Sequence, residues 1–355
     1  MKPQDLLEHV AHDMPIIDAD VSGADLRRID LAGMTALRCN FEGAVFDGSD
    51  LTGATFSSCN LERCRFQGAQ LQKLSLAECG AHRARFDFCD LAFLAAVKTD
   101  LSGAQFTHTK LDKASFVDGS LKEASFAEAS LSSTSFLRAD IAGINLLDAH
   151  LTTVAFVQGD FRQALTKGAQ LQACAFFECD FGGLDLSDYL LVQCTFQASN
   201  LLGVSFAGAN LSGSILMNSN LSQADFTSAL AQMALFCNAN LAGARFTGAD
   251  VSQANFGEAI LHAADFSRAV GDKAQFGGAN CQGANFSSAT LTFADFADAQ
   301  LDASQFSGAT FHLTNFHNVS AEGALTDGVS GSTLQTDAER LAADHYDPKR
   351  VRMIS

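Results

Sequence analysis

The side chains best equipped for chemistry in this 355-residue chain are ten cysteines, nine histidines and forty aspartates and glutamates. Thiolates and imidazoles hold zinc when they come in close pairs, and a Cys–His–Asp set can drive nucleophilic attack. Neither arrangement is written here, because no CxxC occurs and the histidines are scattered. Eight cysteines instead share one slot of a five-residue frame, two places before its central residue: Cys39, Cys59, Cys64, Cys79, Cys89, Cys174, Cys179 and Cys194. Cys281 is itself central, and Cys237 lies outside both inward slots. A free thiol behaves as a small buried hydrophobe. These cysteines are therefore expected to be reduced, buried and without metal.

The carboxylates form a second group. Asp140, Asp160 and Asp180 recur once in every four repeats of that frame, with Glu178 beside them, and are the candidate docking surface. Arg63, Arg65, Arg83 and Arg85 form the matching candidate basic patch. No acid pair, Gly-rich phosphate loop or His/Cys/Asp set stands out from the repeat, and flat repeat faces lack the concave pocket of an active site. Catalytic residues, cofactor and metal are all expected to be absent.

What positions these residues is a frame of five that holds from 16 to 321. The central residue, at positions ending in 1 or 6, is apolar almost throughout, and Ala or Cys stands two before it. Alternation in an extended piece turns that pair inward and leaves the other three residues outside. A period of five fits neither a continuous helix nor a continuous strand; it suits a short extended piece followed by a corner. Gly43, Gly53 and Gly243, two after the centre, supply backbone freedom for such corners.

A second period of ten sits on the first. Phe fills 22 of the 31 centres ending in 6, and Leu fills 19 of the 30 ending in 1. Four pieces would close one square coil. Phe then faces Phe across the core and stacks on the Phe four pieces later. Between 144 and 204 the size rule breaks: Ile144, Val154, Leu184, Tyr189 and Val204 fill the small slot, and Thr166 is central. Such bulk should widen or bend the coil there, as a packing irregularity or as a bend that shapes a docking surface.

The triplets Ala24-Asp25-Leu26, Ala139-Asp140-Ile141, Ala209-Asn210-Leu211 and Ala239-Asn240-Leu241 resemble the A(D/N)LXX pattern of the pentapeptide-repeat family. The resemblance implies an all-β fold, a right-handed quadrilateral β-helix of about 15 coils, about 4.8 Å apart as strands are. It sets three segments: 1–15 as an N-terminal cap, 16–322 as the β-helix, and 323–355 as a linker with a helical and basic tail. In the first, 4–12 is expected to be a helix with Leu6, Leu7 and Val10 on one face. In the last, GVSGS reads as flexible linker, Asp337 as an N-cap, and KRVRMIS as a basic tail that caps the coil or pairs subunits.

The net charge of −17 is unevenly spread. Residues 16–167 carry 15 Lys/Arg against 19 acids, and 168–337 carry 3 against 15. Such acidity disfavours direct nucleic-acid binding. The polar N-terminus shows neither leader nor span, so a cytoplasmic protein, off the membrane, is expected. Two functions fit. One is a protein-binding scaffold or adaptor; the entry VAHDMPIIDADVSGADLRRIDLAGM resembles modules that accompany type VI secretion effectors. The other is a DNA mimic that binds DNA gyrase or another topoisomerase, as members of the family do. Either form is expected to be a monomer or an end-to-end dimer.

Overall fold

Alanine or cysteine beside a large apolar residue, repeated every five positions, leaves the backbone one economical solution, and the computed structural model adopts it. Residues 1–339 and Leu341 are described. They form a parallel β-solenoid of about 16 turns and one short helix. Contacts group the chain into two units, one of Met1–Leu184 with Leu190–Asn200, the other of Asp185–Tyr189 with the residues from Leu201 onward.

Helix α1 spans Pro3–Ala11. Pro3 suits the first turn, where its missing N–H has no partner to lose. Leu6 is buried and Val10 half-buried, whereas Leu7, expected on the same face, is exposed. The Met1 ammonium donates to the Asp20 carbonyl at 2.7 Å, tying the helix to the first coil.

In the first unit, nine strands form one parallel sheet: β1 Ile16–Ile17, β2 Thr35–Leu37, β3 Thr55–Ser57, β4 Ser75–Ala77, β5 Ala95–Val97, β6 Ser115–Val117, β8 Ser135–Leu137, β10 Ala155–Val157 and β12 Ala175–Phe177. A second face carries β7 Ser130–Ser132, β9 His150–Thr152 and β11 Gln170–Gln172. The second unit holds β13 Thr290–Thr292, β14 Thr310–Asn315 and β15 Ser330–Leu334. Partners such as Phe116↔Phe136 and Leu131↔Leu151 stand four repeats apart in sequence, so one coil is four five-residue faces. Single bridges such as Asp225↔Arg245 carry the same register elsewhere.

The core is built of rings. Phe226 and Phe246 stack 4.5 Å apart at 1°, and Phe236 and Phe256 4.8 Å apart at 1°. The two columns meet edge to face, with Phe246 and Phe256 5.6 Å apart at 90°. Both contacts are favoured ring geometries. Where bulk enters the small slot, Ile144, Val154 and Val204 remain buried, but Leu184 and Tyr189 are only half-buried. One local compensation is Gly159, where a Cβ would stand 2.8 Å from Ile141 Cδ1.

Two kinds of corner join the faces. In one, the amide of the small-slot residue closes a turn onto the previous centre, as Ala44 does onto the Phe41 carbonyl at 2.8 Å. Its third residue is left-handed, which suits Gly43 at φ 67°. After the nine-stranded sheet that closure is missing, and the amide turns to a side chain one coil on. The Cys39 N–H donates to Cys59 Sγ at 3.4 Å, Cys79 N–H to Thr99 Oγ1 at 3.4 Å, and Cys179 N–H to Ser199 Oγ at 3.1 Å. The receiving groups then donate to strand carbonyls, as Ser199 Oγ does to Phe176 at 3.2 Å. Cysteine in this column is therefore more than a stand-in for alanine: a buried amide needs the acceptor.

The coil also outlasts the apolar pattern. Residues 323–334, expected as linker, continue the ladder through Gln305↔Leu325 and Thr310↔Ser330, which adds a turn to the expected count. Backbone pairing needs no apolar centre, and among the described residues the last coil has no further coil to bury its centres against, so Thr326 and Gly331 are exposed. Beyond Phe311 the pairing slips by one, Thr314 meeting Thr333. Asp337 accepts the Glu339 amide at 2.8 Å, as an N-cap does. The rest of the expected helix and the basic tail lie outside the described residues. No described helix is long and apolar enough to cross a membrane.

Candidate interaction surface

Asp or Asn before each centre faces outward at the start of a corner, where its carboxylate or amide oxygen can accept the N–H two residues on. Asp140, Asp160 and Asp180 all do this, from Ala142 at 3.4 Å, Arg162 at 3.0 Å and Gly182 at 2.9 Å. Asp160 and Asp180 are bridged neighbours. Arg162 spans them, 2.7 Å from Asp160 and 3.4 Å from Asp180, while Lys122 holds Asp140 at 3.0 Å. The Arg162 guanidinium keeps the Asp160 carboxyl below the usual carboxylate range. Glu178 lies off this line, at a corner of the nine-stranded sheet, and accepts from Gln158 Nε2 at 2.9 Å. The acidic ladder is thus a set of corner braces whose charge Lys122 and Arg162 partly cancel. Their i+2 and i−18 spacings were present in the sequence.

The basic patch is also braided with acids. Arg65 and Arg85 are bridged neighbours. Arg63 reaches Glu62 at 3.1 Å and Glu42 at 3.6 Å, Arg65 reaches Asp47 at 2.8 Å, and Arg85 reaches Asp87 at 3.0 Å. Arg83 packs along Gly103, with no ion pair among the described residues.

The second unit handles its acids differently. Asp250 is held by the Ser252 amide at 3.0 Å and Gln232 Nε2 at 2.6 Å. Asp295 is held by the Ala297 amide and Asn315, Asp298 by Asn318, and Asp302 by the Glu322 amide and Ser320. Glu258 lies over Gly278. All these donors are neutral, so they fix the carboxylates without cancelling charge. Among the described residues none of these five acids has a Lys or Arg within ion-pair distance, and the pair seen in this unit is Arg245–Asp225 at 3.6 Å.

Sequence reasoning overlooked a third surface. The outward residue after each centre of the nine-stranded sheet, one per strand from 17 to 177, is apolar or small in every strand. Ile17 is 47% exposed, Val97 39% and Phe177 37%. The residues before the centres are Thr, Ser or Ala in β2 to β12. The signal was the fixed offset of one coil, hidden because the frame of five draws attention to the inward pair.

Burial explains the thiols. It pushes Cys64, Cys89, Cys179 and Cys194 up to about 12, which keeps them protonated and poorly nucleophilic. Cys237 alone among the ten is half-buried. A cavity of about 410 Å³ opens at the last coils, lined by Phe306, Phe311, Phe316 and Val329 among others. Among the described residues no titratable side chain lines it.

The family model for pentapeptide repeats matches eight times, at 24–63, 39–76, 84–122, 99–136, 190–227, 219–257, 252–280 and 279–318. No curated protein matches the chain. Among solved structures it is similar to HetL, a pentapeptide repeat protein involved in heterocyst differentiation regulation in the cyanobacterium Nostoc sp. strain PCC 7120. That match is 18% identical, with TM-score 0.19, over 93% of this chain and 94% of the other. QnrB1, a plasmid-mediated fluoroquinolone resistance protein, matches at 21% identity and TM-score 0.24 over 59% of this chain and 91% of its own. A mannuronic acid-specific family 6 polysaccharide lyase from human gut microbiota matches at 9% identity and TM-score 0.22, over 99% of this chain and 89% of its own.

Proposed function

Because this chain belongs to the pentapeptide-repeat family, we propose that it is a non-enzymatic scaffold that holds a protein partner against the acidic surface of residues 201–339. The observation that carries this reading is the uncancelled charge of Asp250, Glu258, Asp295, Asp298 and Asp302. Residues 201–339 contain twelve Asp/Glu against three Lys/Arg. Carboxylates fixed by neutral donors cost little reorganisation on binding, and their summed field steers a basic protein toward them. Among the described residues, the cavity at the last coils is lined by hydroxyls such as Ser330 but by no acid or base that could activate them, which favours binding over catalysis.

The finer reading, a carrier for a basic cargo protein of type VI secretion, rests on the resemblance of the N-terminal entry. The second reading draws on the same carboxylates: set out in place of phosphates, they would occupy the DNA site of a topoisomerase. One variant separates these readings. Changing Asp250, Asp295, Asp298 and Asp302 to Asn, with Glu258→Gln, removes five charges while leaving an oxygen for the backbone amides that Asp250, Asp295 and Asp302 accept. The expected result is an unchanged melting temperature, loss of partner capture from the native host at low salt, and a wild-type capture that weakens as salt rises. Capture indifferent to the five changes rejects the acidic face. Gyrase supercoiling inhibited by wild type and spared by the variant selects the DNA mimic.

A further inference from the structure

The outer face of the nine-stranded sheet is flat, uncharged and long. The eight strands from β2 to β12, seven spacings of about 4.8 Å, and a width of about five residues give roughly 550 Å² per molecule. Two such faces together cover roughly 1,100 Å², above the ~1,000 Å² that a specific interface should clear. Along one edge runs a rim of corner side chains, one per coil, whose charges follow an order. From coil to coil, Arg38 is followed by Ser58, Glu78, Lys98, Asp118, Arg138, Gln158 and Glu178, all exposed.

From Arg38 to Glu178 that order is antisymmetric about the midpoint between β5 and β6; Asp18, which precedes them on the coil of β1, lies beyond the paired stretch and is held by Arg38 of its own chain. A two-fold axis through this point, lying along the strands, sets two sheets face to face with their coils running oppositely. Each rim then meets itself in reverse. Lys98 faces Asp118 of the second copy, Glu78 faces Arg138, and Arg38 faces Glu178, while the uncharged Ser58 faces Gln158. Between the rims the row of small and apolar residues meets itself: Val97 with Val117, Ala77 with Leu137, Ser57 with Val157, and Leu37 with Phe177. Moving the register by one strand brings like charges together: Glu78 onto Asp118 in one direction, Lys98 onto Arg138 in the other. We propose that this face binds a second copy of the chain as a side-by-side, antiparallel homodimer centred between β5 and β6.

The rim side chains already pair within the chain, Arg138 with Asp118 at 2.7 Å and Gln158 with Glu178 at 2.9 Å. Both ion-pair members are more than a third exposed, so a second copy can extend each pair into a cluster. The inference goes beyond the scaffold reading, because its surface lies wholly in the first unit and carries none of the five acids above. An end-to-end dimer would leave this face uncovered.

The test is sedimentation of the full chain over a concentration series. Wild type should dimerise. Val117→Arg, Lys98→Glu and Asp118→Lys should each weaken dimerisation about tenfold or more by placing unpaired or like charges across the axis. Unchanged melting temperatures should show that the variants remain folded. The decisive step mixes Lys98→Glu with Asp118→Lys: neither pairs with itself, yet every cross-pair is complementary, so the mixture should restore the dimer. A wild type that stays monomeric at about 100 μM, well above the range of specific complexes, overturns the proposal. So does a dimer that ignores all three substitutions, or a mixture that fails to reassociate.

Discussion

The two units share a core and differ in what they do with charge. In the first, carboxylates meet guanidinium groups one coil away, as Asp18 meets Arg38 at 2.7 Å and Asp118 meets Arg138 at 2.7 Å. In the second, apart from Arg245–Asp225, amides and hydroxyls hold the acids and their charge is not cancelled. Neutral donors fix geometry as firmly as arginines do, but only cations cancel the field. Coil geometry and surface potential are therefore set by separate choices at the same positions. The first unit also keeps eight of the ten cysteines; two of them, Cys59 and Cys179, accept amides that the nine-stranded corners leave open.

If the core is common to both units, truncating it should cost the same in each. Phe86→Ala and Phe256→Ala each remove a fully buried ring with a stacked neighbour 5.0 Å or less away on either side. Each should lose about 3–5 kcal/mol in denaturant unfolding. A large loss in one unit and none in the other would break the comparison at its base.

Alkaline unfolding sharpens it. Unfolded thiols ionise near about 8.5, whereas Cys64, Cys89, Cys179 and Cys194 stay protonated up to about 12 when folded. Their folded values are raised, so stability is fully present below pH 8.5 and falls as pH rises toward 12. The slope is about 1.4 kcal/mol per pH unit for each thiol. All four lie in the first unit, which should lose hydrogen-exchange protection first between pH 8 and 10. Changing the four to Ala should flatten that decline. Equal loss in both units would refute the assignment.

The smallest effect is ionic. Added salt should slightly loosen the first unit by screening its exposed pairs, and slightly tighten the second by screening its repulsions. Hydrogen exchange at low and high salt reads both signs at once. Acid gives a parallel check: the Arg27 guanidinium holds Asp25 to about 2. That lowered value stabilises above about 3.9, the unfolded range, and its contribution disappears as pH falls toward 2. Asp25→Asn should remove this part of the acid limb and leave the limb of the second unit unchanged.

The frame of five, the Phe stacks and the four-sided coil were legible because hydrophobic periodicity reports directly which side chains face inward. Corner chemistry was less so. Arg38, Lys98 and Glu178 take left-handed backbone at φ 52°, 49° and 55° as Gly43 does, and residue type alone does not announce that. The acidic ladder was placed correctly in space, since Asp160 and Asp180 are neighbours. It was misread in charge, because stacking was counted along a column and Arg162 reaches in from beside it. Residues 323–334 looked like linker because their centres are not apolar, although backbone pairing continues without them.

Pairing at every fourth repeat sets a rule for how the chain can change length. Inserting one repeat would keep every apolar centre inward, yet it would exchange Phe for Leu positions and carry every outward side chain onto the next face. Inserting two would restore the ring alternation but transfer the rim of charges to the opposite side. Only a whole turn of four leaves the sulfur column, the corner braces and the rim where they were. Length here comes in quanta. Even one extra turn between β5 and β6 would retain the coil while moving the midpoint of the rim onto a strand.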